Sequence, residues 1–129
     1  MGKPVSERLM AIKAEIERMA EDLDEAKRTV SRCEGEMLDL EHEIELLTLT
    51  RRELRERAER LRDVRRARRT AKETLETLAP VMQTLEKLGA TKAIDQAIWA
   101  AEAAERAQDR RQYTPRVRTT PISNTGTKQ

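Results

Sequence analysis

From Leu9 onward, apolar residues return along the chain at alternating steps of three and four. Such spacing keeps one stripe on one side of an α-helix, and sustained over this length it predicts a coiled-coil heptad seam. Leu9, Ile16, Leu23, Val30, Met37, Ile44, Arg51 and Ala58 fill the a positions. Ile12, Met19, Ala26, Cys33, Leu40, Leu47, Leu54 and Leu61 fill the d positions, so fifteen of the sixteen are apolar. After Leu61 the next apolar residue, Val64, comes one step early, and the stripe resumes through Arg68, Ala71, Leu75, Leu78, Met82 and Leu85. A three-residue slip of that kind overwinds a coiled coil locally.

The pattern predicts one long helix over residues 6–79, a rod of roughly 110 Å, ended or kinked by Pro80. A single helix of this length cannot bury its own stripe, so it needs a partner helix. Beyond it the spacing predicts a C-terminal helical region over 80–112. Its first piece, 80–88, stops at Gly89, and an Ala-rich helix over 91–112 follows, with Ile94, Ala97, Ile98, Ala101 and Ala104 on one face. Residues 113–129 carry two prolines, a glycine and no acid, and read as a flexible basic tail.

At the other end, Ser6 is placed to cap the first helix, with Val5 and Met10 as a hydrophobic staple. Gly2 and Ser6 also fit the loose pattern for N-terminal myristoylation, against the plainer reading of a frayed start.

Composition narrows the fold class to all-α. Ala, Glu, Lys, Leu and Arg make up 73 of 129 residues, above the roughly one-half typical of long helices. With no Phe, and Trp99 and Tyr113 as the sole aromatics, the chain lacks the residues that build β-sandwiches or α/β enzyme domains. No apolar run approaches the 18 or so residues of a membrane span, so the expectation is a soluble, cytoplasmic protein with no membrane partner.

The net charge of +2 conceals a strong polarity. Residues 21–45 carry ten acids and three bases, whereas residues 46–70 carry ten arginines and four acids. A parallel in-register dimer would oppose Glu36 to Glu41 and Arg57 to Arg62. An antiparallel pairing centred near residues 45 and 46 would bring Glu34 near Arg55 and Glu36 near Arg57. Antiparallel is therefore the expected orientation, made either in trans between two rods or in cis as a hairpin broken near residues 48–50. Thr50-Arg51-Arg52-Glu53 has the form of a capping box, which favours the hairpin. Thr70-Ala71-Lys72-Glu73 has the same form inside a helical stretch, and the linker lacks Gly, Pro, Asn and Asp, which favour the rod.

Candidate chemistry is sparse. A lone Cys33 at a d position behaves as a small hydrophobe, and His42 sits at an outward position away from it. No thiolate or imidazole cluster, glycine-rich phosphate loop or nucleophile elbow is present, so neither an enzyme nor a cofactor is expected. Glu41, Glu43 and Glu45 point to different sides of a helix and read as solvation.

Eleven bases fall within residues 51–72, and the run Arg65, Arg66, Arg68, Arg69 can contact nucleic-acid phosphates. The competing reading is a salt-bridged face that recognises the acidic half of a partner. Trp99 lies about 140° around the helix from Ile94, off the Ala-rich stripe, where it is either an anchor for a partner or packed on the 80–88 helix. Arg116 and Arg118 in the tail are further candidates for partner contact. The sequence thus points to a non-enzymatic assembly or adaptor protein that pairs with itself as a homodimer and binds another protein through Trp99. Its contact surface is a seam of Leu9, Ile12, Ile16, Met19, Leu23, Val30, Met37, Leu40, Ile44, Leu47, Leu54 and Leu61. The alternative is a nucleic-acid-binding coiled coil.

Overall fold

The computed structural model describes residues 2–112, and nearly all of them lie in three helices: α1 (Val5–Leu46), α2 (Arg51–Lys87) and α3 (Ala90–Gln112). No strand occurs among the described residues, in keeping with the all-α expectation. Residues 113–129, including Arg116 and Arg118, lie outside them.

The single helix expected over residues 6–79 is two helices. Leu47 and Thr50 both adopt extended backbone, with φ −95°, ψ 148° and φ −70°, ψ 164°. The capping box at Thr50 is fully formed. The Glu53 backbone N–H donates to Thr50 Oγ1 at 3.1 Å, and the Thr50 N–H donates to Glu53 Oε1 at 3.0 Å. Two donors that a helix start leaves unpaired are thereby satisfied, which fixes the break despite a linker poor in turn residues. The look-alike at Thr70 caps nothing; it lies inside α2 and its hydroxyl donates to the Arg66 carbonyl at 3.2 Å.

α2 folds back antiparallel on α1, as the pairing of Glu43 with Arg57 and of Glu34 with Arg68 shows. On α1, Ala26, Cys33 and Leu40 are buried at intervals of seven, with Leu23, Val30, Met37 and Ile44 half-buried between them. On α2, Val64 and Ala71 are buried, within a stripe running Arg57, Leu61, Val64, Arg68, Ala71, Leu75, Leu78, Met82, Leu85. This stripe alternates fours and threes without interruption. The slip expected after Leu61 therefore disappears, because α2 has its own phase and does not inherit that of α1. Arg51 and Ala58, placed in the seam by extending α1's register, are exposed. Cys33, Leu40 and Val64 form the innermost cluster, with Met37 and Leu61 packed on it. Burying one such aliphatic side chain contributes about 1.5–3 kcal/mol, so the stripe and not the surface charge dominates hairpin stability.

Of the expected seam, Leu9, Ile16, Met19, Leu23, Val30, Met37, Ile44 and Leu61 are half-buried and Leu40 is buried. Three members depart from it. Leu47 is 52% exposed and Leu54 45% exposed, because the helices end or begin there and no third element covers the tip. Ile12 is 51% exposed, since near the start of α1 the covered side turns to Leu9, Lys13, Ile16 and Ala20.

Pro80 does not end the helix; α2 runs on to Lys87, so no separate 80–88 helix exists. Pro80 is solvent-exposed, so water can reach the Glu76 carbonyl that lacks its usual donor. Gly89 does close the element, at φ 62°, a left-handed conformation that a side chain would strain. Beyond Gly89, α3 continues in the general direction of α2 and lies against the first part of α1, with Asp95 facing Lys13 and Glu105 facing Ser6. Ile94, Ala97, Ile98 and Ala101 are half-buried as the Ala-rich face predicts, whereas Ala104 is exposed.

Candidate functional site

The acidic and basic halves meet across the hairpin as two ladders. In the register of α1, Glu34 and Glu41 are e positions and Glu36 and Glu43 are g positions, so each pair lines one flank of the buried stripe. On one flank Arg68 reaches Glu34 (Nη2–Oε2 2.9 Å) and Arg65 reaches Glu41 (3.5 Å). On the other, Arg57 reaches Glu43 (Nε–Oε1 3.0 Å) and Arg60 contacts Glu36. Glu34 and Glu36 pair with Arg68 and Arg60, not with Arg55 and Arg57, because the chain reverses at residues 47–50 and not about residues 45 and 46. Glu41 and Glu43, read from sequence as mere solvation, are members of these ladders. Each exposed pair is worth only about 0.2–1 kcal/mol, but four of one polarity favour this orientation over a parallel one.

The ladders divide the arginine cluster. Arg65 and Arg68 are engaged with acids of α1, whereas Arg66 and Arg69 are paired with none of them. Arg51, Arg55, Arg62 and Arg66 recur at helical spacing on the side of α2 away from the buried stripe, and Arg69 lies between that side and the groove; all five are exposed, and none is ion-paired among the described residues. Glu59 and Glu73 lie on the same side. A groove beside the stripe is lined by Met37, Arg65, Arg68, Arg69 and Lys72 together with Glu73 and Glu76. Within the run Arg65–Arg69, Arg65 and Arg68 are therefore ion-paired and Arg66 and Arg69 are not, a division that only the helical phase of α2 reveals.

The end of the rod nearest α3 is organised by a contact that sequence reasoning missed. Ser6 does not cap α1: the helix starts at Val5, and its N-cap residue is Pro4, whose side chain makes no capping hydrogen bond. Instead Ser6 is buried, and Glu105 of α3 takes both its donors, the hydroxyl at 2.6 Å (Oγ–Oε1) and the backbone N–H at 3.1 Å. A carboxylate at a helix N-terminus satisfies unpaired N–H groups and faces the positive end of the dipole. The Ser6 hydroxyl and backbone N–H hold the Glu105 carboxyl below its ordinary pKa. Lys13 is held above its ordinary pKa by its hydrogen bond to Asp95 (Nζ–Oδ1 2.7 Å) and by that carboxylate's charge. At the tip, the backbone N–H and hydroxyl of Thr50 lower the pKa of Glu53. No sequence motif announces Ser6–Glu105, since its partners are 99 residues apart.

Trp99 is 70% exposed on the outward side of α3. Packing against the 80–88 segment is thereby overturned, and Val81 and Leu88 are themselves exposed. Cys33 is a free thiol buried in the hairpin core, and His42 is exposed. No group of three metal-ligating side chains occurs among the described residues, and no helix among them is long and apolar enough to cross a membrane. No family model, curated protein or solved structure matches the chain.

Proposed function

We propose that this chain is a non-enzymatic, coiled-coil interaction protein that serves assembly or adaptor work by pairing with itself and docking another protein. The observation that carries the reading is the exposed Trp99 on α3. A large aromatic surface left in water while smaller apolar residues line the hairpin interior is the type of side chain that anchors protein interfaces. The e and g acids support a coiled-coil description of the α1–α2 pairing. The test is affinity capture with immobilised full-length protein and its Trp99→Ala variant, after circular dichroism has shown equal helicity. A protein retained by the wild type and lost by the variant supports the anchor; equal retention by both refutes it.

A second reading is favoured by the outward arginines. Arg55, Arg62, Arg66 and Arg69 are free of the ladders and can contact a phosphate backbone. Replacing Arg62, Arg66 and Arg69 by Gln should abolish a salt-sensitive gel shift, whereas Arg65→Gln with Arg68→Gln should reduce it less. No shift with any DNA or RNA at low salt removes this reading.

A further inference from the structure

The exposed leucines at the tip are in step with the buried ones. Leu40, Leu47, Leu54 and Leu61 follow one another at intervals of seven straight across the break, yet only Leu40 and Leu61 are covered. Leu46 and Leu47 end one helix in water, and Leu54 does so at the start of the next. The linker Leu47-Thr48-Leu49-Thr50 contains no Gly, Pro, Asn or Asp, so its composition does not require a turn. What holds the break is the capping box between Thr50 and Glu53.

We infer that the tip is a self-association surface: residues 47–50 convert to helix, and two copies exchange arms as an antiparallel dimer. The occupant of the Leu47 and Leu54 surface is then the same stretch of a second copy. In each chain α1 and α2 become one helix from Val5 to Lys87, roughly 120 Å long. Two-fold symmetry re-forms every cross-hairpin contact between chains, so Glu34 meets Arg68 and Glu43 meets Arg57 of the other copy, and each occurs twice. The gain over two hairpins is the burial of Leu47 and Leu54; the losses are one capping box per chain, the partial cover of Leu49, and the local overwinding that the three-residue step after Leu61 brings to a continuous helix. This inference rests on the self-pairing half of the proposed function and is independent of Trp99.

The experiment measures the spacing of two spin labels on full-length chains, at Asp39→Cys and Arg62→Cys in a Cys33→Ser background, diluted into unlabelled protein and paired with light-scattering mass. The hairpin holds the labelled helices side by side, with axes about 8–10 Å apart. The exchanged dimer separates the labels by about 35 Å along one helix. A dimeric mass with the long distance is expected, and Thr48→Ala with Thr50→Ala should raise the dimerisation constant about thirtyfold, fivefold for each cap removed. Should that variant lose helicity, Leu47→Asp with Leu54→Asp provides a second arm. Both positions are half in water in the hairpin, so the monomer should keep its helicity while the dimer is lost. A dimer that retains the short distance, or survives the two aspartates, overturns the inference and leaves self-pairing intact. A chain that stays monomeric in every variant overturns both.

Discussion

Gly35 and Gly89 allow one substitution to be read with opposite signs. Gly35 lies inside α1 on its outward side, and Gly89 closes α2 at φ 62°. A Cβ added at either position meets nothing within 4 Å, so no steric contact contributes and only backbone conformation is tested. At Gly35, alanine removes the entropic cost of glycine in a helix interior, worth about 1 kcal/mol. At Gly89, alanine forces a side chain into the left-handed region at about 1–2 kcal/mol, offset in part by the 0.4–1 kcal/mol gained from restricting the unfolded chain. Gly35→Ala should therefore stabilise by about 1 kcal/mol and Gly89→Ala destabilise by about 0.5–1 kcal/mol. Urea titration followed by helical circular dichroism reads both, with midpoints moving in opposite directions and slopes unchanged. A Gly89→Ala protein as stable as the wild type would show that this position does not hold the left-handed conformation. A Gly35→Ala protein less stable than the wild type would show that the outward side of α1 is covered.

Val64 is 3% exposed against Cys33 and Leu40, so Val64→Ala should cost about 2 kcal/mol in the same titration; a loss under about 0.5 kcal/mol would mean that α2 does not bury this side. Cys33 should react with a thiol reagent only as fast as the hairpin opens, and immediate labelling of the native protein would contradict its burial. The α1–α3 contact should depend on pH at both extremes. Glu105 has a lowered pKa, so its contribution is present above the ordinary carboxylate value of about 4.3 and is lost as pH falls through the lower folded value. Lys13 has a raised pKa, so its contribution is present below the ordinary lysine value of about 10.4 and is lost as pH rises through the higher folded value. The protection factors of amides at the start of α1, which correct for the intrinsic slowing of exchange in acid, should therefore fall as pH is lowered, and Glu105→Gln should flatten that response; an unchanged profile would remove Glu105 from the account.

The helical nature of the chain and most of its buried stripe were legible because a period near 3.5 residues persists through forty residues of α1. The break at Thr50 was legible as one of two options, since its capping box is written in the sequence. Thr70 carries the same letters, and only the competing helical hydrogen bonds of its neighbours distinguish the two. The phase of α2 was hidden because Leu54 and Leu61 fit α1's register as well as their own, which made an independent helix look like a slip. Continuation through Pro80 was illegible for a different reason: exposure to water makes a lost backbone hydrogen bond tolerable, and exposure is a tertiary property. Of the candidate site, Trp99 stood out by rarity. The division of the arginines and the Ser6–Glu105 contact depend on which residues face one another across the rod, which no local spacing reports.

The run of α3 past Gly89 has a geometric consequence. Val5 and the far part of α3 share one pole of the rod, where Ser6 meets Glu105, while Leu47–Thr50 occupy the other. The 42 residues of α1 separate the two poles by roughly 60 Å. The start of α1 is held at that distance from the leucine tip. The hairpin is in this sense a ruler with two differently marked ends.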